Sequence, residues 1–222
     1  MIETSGLRRI FPTTQGDVEA VTRRRGEYAS PLSNTITAGR LVFERGTAND
    51  VIVVDHEMPE LFVARFDGVV PRVEVVGGTV RIRRSRTGRS RGRIAISGRV
   101  PWTIAVDGGA ARLRAELASA IISAITVTGG ASHVDLDLPP AAGPVPIRFG
   151  GGVSNLSVLR PREVAVRLAV SGGSARVALD HQRFGAVGAP LELRSSGDDT
   201  GSSGRYDIEV AGGAHALVIA AR

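Results

Sequence analysis

The chain has 222 residues, 28 glycines and no cysteine, and it is 42% hydrophobic but only 4% aromatic. A chain of this length can bury a core without disulfide staples. The missing thiol excludes cysteine-ligated zinc, iron–sulfur clusters and thiol catalysis. All 28 basic residues are arginine, against 22 carboxylates, for a net charge of +6.

This composition predicts many short strands and tight turns rather than a helix bundle. The opening residues MIETSGLRRIFPTTQGD carry Glu3 and no apolar core segment, so no secretory leader is expected. The longest apolar stretch free of glycine and charge, 117–127, is broken by serines. It falls far short of the ~20 residues a spanning helix needs. A cytoplasmic protein without a membrane span is the expectation. Residues 1–38, with Arg23–Arg24–Arg25 and scattered Ser, Thr and Pro, read as a tail or cap ahead of one domain over 39–222.

That domain repeats. Gly-Gly recurs at Gly77–Gly78, Gly108–Gly109, Gly129–Gly130, Gly151–Gly152, Gly172–Gly173 and Gly212–Gly213, with Arg45–Gly46 as a degenerate first copy. The middle doublets are about 21 residues apart. Three residues before each second glycine stand Phe43, Val75, Val106, Val127, Phe149, Val170 and Val210, and five before stand Leu41, Val73, Ile104, Ile125, Ile147, Leu168 and Ile208. Four after come Ile82, Leu113, Val134, Leu156, Val177 and Leu217; only the first copy breaks the rule, with Asp50. Apolar and polar residues alternate, so each unit reads strand, glycine turn, strand with one buried face. Glycine suits the turn because it reaches positive φ without a Cβ clash. The near-constant period favours a single-domain all-β solenoid of about seven coils. Hairpins stacked through Gly-Gly loops would give the same face parity. Leu113, Leu117, Ile121 and Ile125, four apart, could mark a helix, but the register of the repeat assigns them to strands. Leu191–Ser196 reads as a degenerate copy with Ser-Ser in place of Gly-Gly.

The stretches GRLVFERG (39–46), MPELFVARFDGVVPRVEV (58–75), VPWTIAVDGGAARL (100–113), DHQRFGAVG (180–188) and GRYDIEVAGGA (204–214) resemble a family of uncharacterised actinobacterial β-solenoid proteins. That family is related to the bacterial putative-adhesin domains of β-helical type. The resemblance spans about 39–219 and implies a repetitive β-fold without assigned catalysis.

Charge is concentrated in one place. No acidic residue lies between Glu74 and Asp107, a span that holds Arg81, Arg83, Arg84, Arg86, Arg89, Arg91, Arg93 and Arg99. Arg83, Arg84, Arg86, Arg89, Arg91 and Arg93 are the candidate anion-binding set, suited to phosphate. The rival reading is a solvated insertion between strands. No aromatic residue is interleaved to stack bases, so nucleic acid is disfavoured. The residues Arg81, Arg112, His133, Asn155 and Arg176 are expected to form one outward ladder. His56, His133, His181 and His215 show no metal-ligand spacing, so no metal or cofactor is expected. The pairs Asp135/Asp137 and Asp198/Asp199 are carboxylate pairs of the kind glycosidases use, but Asp135 and Asp137 occupy outward repeat positions where polar residues are expected anyway. The interruption around Phe184 and Tyr206 is a candidate functional loop. The strand leading to Arg222 is expected to be a bare solenoid edge that self-associates.

The sequence therefore reads as a non-catalytic scaffold for an unknown protein or anionic partner. The alternatives are a carbohydrate-active β-helix enzyme and nucleic-acid binding through residues 81–99.

Overall fold

A computed structural model describes residues 21–24, 26–85, 88–188, 190–195 and 204–222. Arg86, the 198–199 carboxylate pair and residues 1–20 lie outside them. The described residues form strands and no α-helix. In chain order these are β1 (Val21–Arg24), β2 (Glu27–Pro31), β3 (Gly39–Glu44), β4 (Thr47–Asp55), β5 (Glu60–Gly68), β6 (Arg72–Val76) and β7 (Thr79–Arg83). Next come β8 (Ser90–Ser97), β9 (Pro101–Asp107), β10 (Ala110–Glu116), β11 (Ile121–Val127), β12 (Ala131–Asp137), β13 (Pro144–Phe149) and β14 (Val153–Arg160). The last are β15 (Ala165–Val170), β16 (Ser174–Leu179), β17 (Gln182–Val187), β18 (Leu191–Arg194), β19 (Arg205–Val210) and β20 (Ala214–Ala221). Leu113 lies in β10 and Ile121 and Ile125 in β11, as the repeat register requires, whereas Leu117 falls in the turn between the two strands, where its carbonyl accepts from Ala120 N at 2.8 Å. There is no helix, and the spacing of four is incidental.

Two mixed sheets result, with no closed barrel among the described residues. The 9-stranded sheet runs β18-β15-β19-β13-β11-β9-β3-β7-β6, and the 11-stranded sheet runs β1-β2-β5-β8-β4-β10-β12-β14-β20-β16-β17. The pairs β3–β4, β7–β8, β9–β10, β11–β12, β13–β14, β15–β16 and β19–β20 each place their first strand in the smaller sheet and their second in the larger. Pairing is parallel through the middle and antiparallel where β6, β5, β17 and β18 close the ends.

The alternating apolar residues become continuous files. Phe43, Val106, Val127, Phe149, Val210 and Val170 pair successively in register, and each is at most 2% exposed. Val106, Val127 and Val170 thus share one file. Across the core, Leu113, Val134, Leu156, Leu217 and Val177 form a second file. Each large side chain so buried is worth about 1.5–3 kcal/mol.

The stacking order departs from chain order. The pair β19–β20 lies between β13–β14 and β15–β16, and β7–β8 lies outside β3–β4. The expected bare edge at the C-terminal strand is therefore wrong: β20 is paired on both sides, to β14 and β16. The outermost strands at that end are β17 and β18. Residues 191–194 are also no degenerate copy of the repeat, because β18 returns antiparallel to β15 after the β16–β17 hairpin has reversed the chain.

The glycine doublets turn out to be of two kinds. Gly77 and Gly78, at φ 52° and 81°, close the antiparallel β6–β7 hairpin, as two left-handed residues suit a type I′ turn. Gly129 and Gly151 are needed for a different reason. A Cβ on Gly129 would lie 2.8 Å from the Gly108 carbonyl carbon, and one on Gly151 would lie 2.7 Å from the Gly130 nitrogen. Successive corners pack backbone on backbone, and at Gly129 and Gly151 close approach rather than positive φ excludes a side chain.

At non-glycine positions, positive φ recurs three residues past the second glycine of each corner. Asn49, Arg112, His133, Asn155, Ala216 and Arg176 have φ of 58°, 50°, 53°, 52°, 52° and 53°. Each is an extra residue between inward neighbours such as Ala131 and Val134, a left-handed kink that every strand of the ladder shares, so the pairing stays in register across it. This row replaces the expected ladder. Arg112, His133, Asn155 and Arg176 belong to it, but Arg81 does not: it lies in the other sheet, opposite Val42 and Glu74. The cause is the Gly77–Gly78 hairpin, which makes β7 the first strand of its pair. At φ 53°, His133→Val should cost about 1–2 kcal/mol, whereas His133→Gly should be neutral or stabilising. Thermal melts of the two variants check the sign.

Candidate anion-binding cleft

The arginine run does not form one patch. Arg81 and Arg83 point out from the 9-stranded sheet, and Arg83 lies 3.5 Å from Glu44. Arg91 and Arg93 point out from β8 on the 11-stranded sheet, opposite Asp67 and Arg65. Arg84 turns inward and is 11% exposed. Arg89 stays at the surface of the β7–β8 connection. Strand alternation scatters the run, because residues two apart share a face only while the chain stays extended.

Arg84 turns inward because of Asp50. Asp50 occupies the file position that leucine or valine holds in the neighbouring pairs: it is opposite Leu113 and Gly92 and 0% exposed. An uncompensated buried carboxylate is very costly, so the interior supplies partners. Arg84 NH2 donates to Asp50 Oδ1 and Thr47 Oγ1 to Oδ2. Burial pushes the Asp50 pKa up, and the bonds from Thr47 and Arg84, the Arg84 charge and the Gly92 N–H only partly offset it. Gly92 must be glycine here, because a Cβ would strike Asp50 Oδ1 and the Phe66 ring.

Around this pair, the corners of β3–β4, β7–β8 and β9–β10 enclose a cleft of about 280 Å³. Arg45, Arg84, Arg89 and Arg112 line it, with no carboxylate among the lining residues. Arg112 is steadied by Nε donation to Asn49 Oδ1, and neither Arg45 nor Arg89 has a carboxylate partner among the described residues. Arg84 NH1 reaches the Ser90 carbonyl at 3.4 Å. The Arg84 Nε and the Ser90 Oγ, however, are buried without a partner among the described residues. A buried unsatisfied donor typically costs about 1–3 kcal/mol. A second cleft of about 510 Å³ adjoins the first; it shares Asn49, Arg89, Ser90 and Arg112 and adds Arg91 and Asp67.

The sequence set of Arg83, Arg84, Arg86, Arg89, Arg91 and Arg93 is therefore only partly assembled. Arg84, Arg89 and Arg91 line the clefts; Arg83 and Arg93 do not, and Arg86 lies outside the described residues. Arg45, Arg112, Asn49 and Thr47 complete the site from distant parts of the chain. The one sequence signal for it was Asp50, an acid at an inward repeat position, which demands a buried cation.

The other candidates have structural roles. Asp55 Oδ1 accepts from the backbone N–H of Glu57 at 2.9 Å and Met58 at 3.1 Å, and the His56 ring covers Gly98. Asp180 accepts from buried Arg160 at 2.6 Å and from Ala221 N at 3.1 Å. Asp137 pairs with Arg222. Asn155 Nδ2 lies 3.5 Å from His133 Nε2, and Arg176 contacts His215. Tyr206 is fully buried in the core, with its hydroxyl on the Pro139 carbonyl at 2.8 Å, so it is not part of a functional loop. On the 9-stranded sheet a groove of about 550 Å³ is lined by Arg148, Arg167, Arg205, Asp207 and Glu209 among others. Its charges are largely matched, with Arg148–Glu209 at 2.9 Å and Arg205–Asp207 at 2.8 Å. No group of three or more metal-ligating side chains occurs among the described residues, and no helix is long and apolar enough to cross a membrane.

No protein-family model matches the chain, and no curated protein matches it. Among solved structures it is similar to one described as a "putative cell adhesion protein" from Clostridium sporogenes. The identity is 15%, the match covers 88% of this chain and 99% of that chain, and the TM-score is 0.55. At that identity the likeness is one of fold.

Proposed function

We propose that this chain is a non-catalytic interaction scaffold of β-solenoid type, in which seven strand pairs act as coils and an arginine-lined corner engages an anionic partner. The observation that carries the reading is the cleft where the exposed Arg45, Arg89 and Arg112 gather around the Asp50-paired Arg84 and no carboxylate is among the lining residues. In-register files and backbone-packed corners support a rigid platform, which lowers the ordering cost of binding. The description of the solved neighbour as a cell adhesion protein also favours interaction over catalysis.

A fluorescein-labelled oligoglutamate peptide tests the reading by anisotropy. Binding is expected at low salt and should weaken steeply as salt rises from about 50 to about 200 mM, since salt screens attraction between solvent-exposed charges. The triple variant Arg45→Ser, Arg89→Ser, Arg112→Ser should lose it. Undiminished binding by that variant, or no binding by the parent protein, removes the reading.

A further inference from the structure

The arginine corner has two lobes with a common wall. The inner lobe is lined by Arg45 and Arg84, the outer by Arg91 with Asp67 opposite it, and Asn49, Arg89, Arg112 and Ser90 border both. We propose that this corner binds a compact ligand bearing a diphosphate, with one phosphoryl group in each lobe and Arg89 and Arg112 bridging the two. The proposal rests on the anionic-partner reading and narrows it to a ligand class.

Three features point to phosphoryl oxygens. Guanidinium groups present paired N–H donors that match phosphate geometry. Arg84 is held in place through Asp50 and Arg112 through Asn49, so two of the forks are preset before any ligand arrives. Arg45 and Arg89 are exposed and lack a carboxylate partner among the described residues, so their donors stay open to a ligand. A terminal phosphoryl group offers three acceptor oxygens where a carboxylate offers two. The corner backbones at Gly46 and Gly109 also border the inner lobe without side chains. Neither lobe has an aromatic residue in its lining, so the site has no stacking surface for a base. Recognition is confined to the diphosphate, and whatever is attached to it extends into solvent.

Titration calorimetry of the full chain with inorganic pyrophosphate and with orthophosphate tests this. Saturable one-to-one binding is expected, with pyrophosphate tighter by about tenfold or more, as a second charge-assisted contact set implies. The double variant Arg89→Ser, Arg112→Ser should abolish it. Arg45→Ser and Arg91→Ser should each weaken pyrophosphate several-fold, and Arg91→Ser should leave orthophosphate unchanged. All four side chains are exposed, so unchanged melting temperatures are expected to accompany these losses. Arg148→Ser, on the other sheet, should change nothing. Equal affinity for the two anions, or pyrophosphate binding that survives the double variant, overturns the proposal. Oligoglutamate binding through the same arginines without saturable pyrophosphate binding overturns the diphosphate assignment while leaving the scaffold reading intact.

Discussion

Replacing Asp50 by alanine should lower stability by about 3–5 kcal/mol, the typical cost of stripping one partner from a buried ion pair. The variant leaves the Arg84 guanidinium, 11% exposed, without its carboxylate, and leaves the Thr47 hydroxyl without its acceptor. The double variant Asp50→Leu, Arg84→Leu should recover most of the loss, because leucine is what Leu113 supplies at the next rung. Replacing buried pairs by apolar residues is often neutral or favourable. Denaturant unfolding of the three proteins checks both statements, and an alanine variant within about 1 kcal/mol of the parent would contradict the first. The pH dependence has a defined sign. The folded carboxyl keeps its proton to higher pH than its ordinary value of 3.8, mainly through burial. The native state therefore binds more protons across that window. The proton-linked part of the Asp50 contribution is complete below the ordinary value and is lost as pH rises through the folded one, while the contact with Arg84 persists above it. Relative to Asp50→Asn, the parent protein should lose melting temperature as pH climbs from about 4, and a difference that grows with pH would refute the assignment.

Asp50 also shows where reading the sequence stops. The alternation of Val73, Val106, Val127 and their equivalents reveals which face of each strand is buried, because a period of two is a property of one strand alone. It does not reveal which strand lies next to which. Val170 pairs with Val210 rather than Phe149, although all three are equally apolar and sit at the same repeat position. Gly77–Gly78 looks like every other doublet, yet it closes a hairpin. What separates it from Gly129–Gly130 is backbone conformation and the approach of a neighbouring corner, neither written in the residue names. The arginine run was plain as a charge excess, but its partition among two sheet faces, a buried pair and a cleft depends on where β7 ends and the chain bends. Arg45 and Arg112 joined the site because β3–β4 and β9–β10 are stacking neighbours, about sixty residues apart in sequence.

The same stacking order makes residues 205–222 the strands on which the far end of the molecule depends. They form β19 and β20, which fill a slot between β13–β14 and β15–β16, bonded to strands on both sides. Deleting them removes Tyr206, Ile208, Val210, Leu217 and Ile219, each at most 1% exposed. At about 1.5–3 kcal/mol each, the loss is about 8–15 kcal/mol, the same size as the whole stability of a typical domain. Deletion also strands the partners of both ladders in the middle of the molecule rather than at an edge. A chain ending at Gly204 should therefore show no cooperative melting transition, and a synthetic peptide of 204–222 added in trans should restore one. The competing outcome is that the slot closes, with β15 pairing directly to β13 at the register both already share with β19. A cooperative transition in the truncated chain without peptide would show that closure, and would mean that β19–β20 is an insertion the stack can do without.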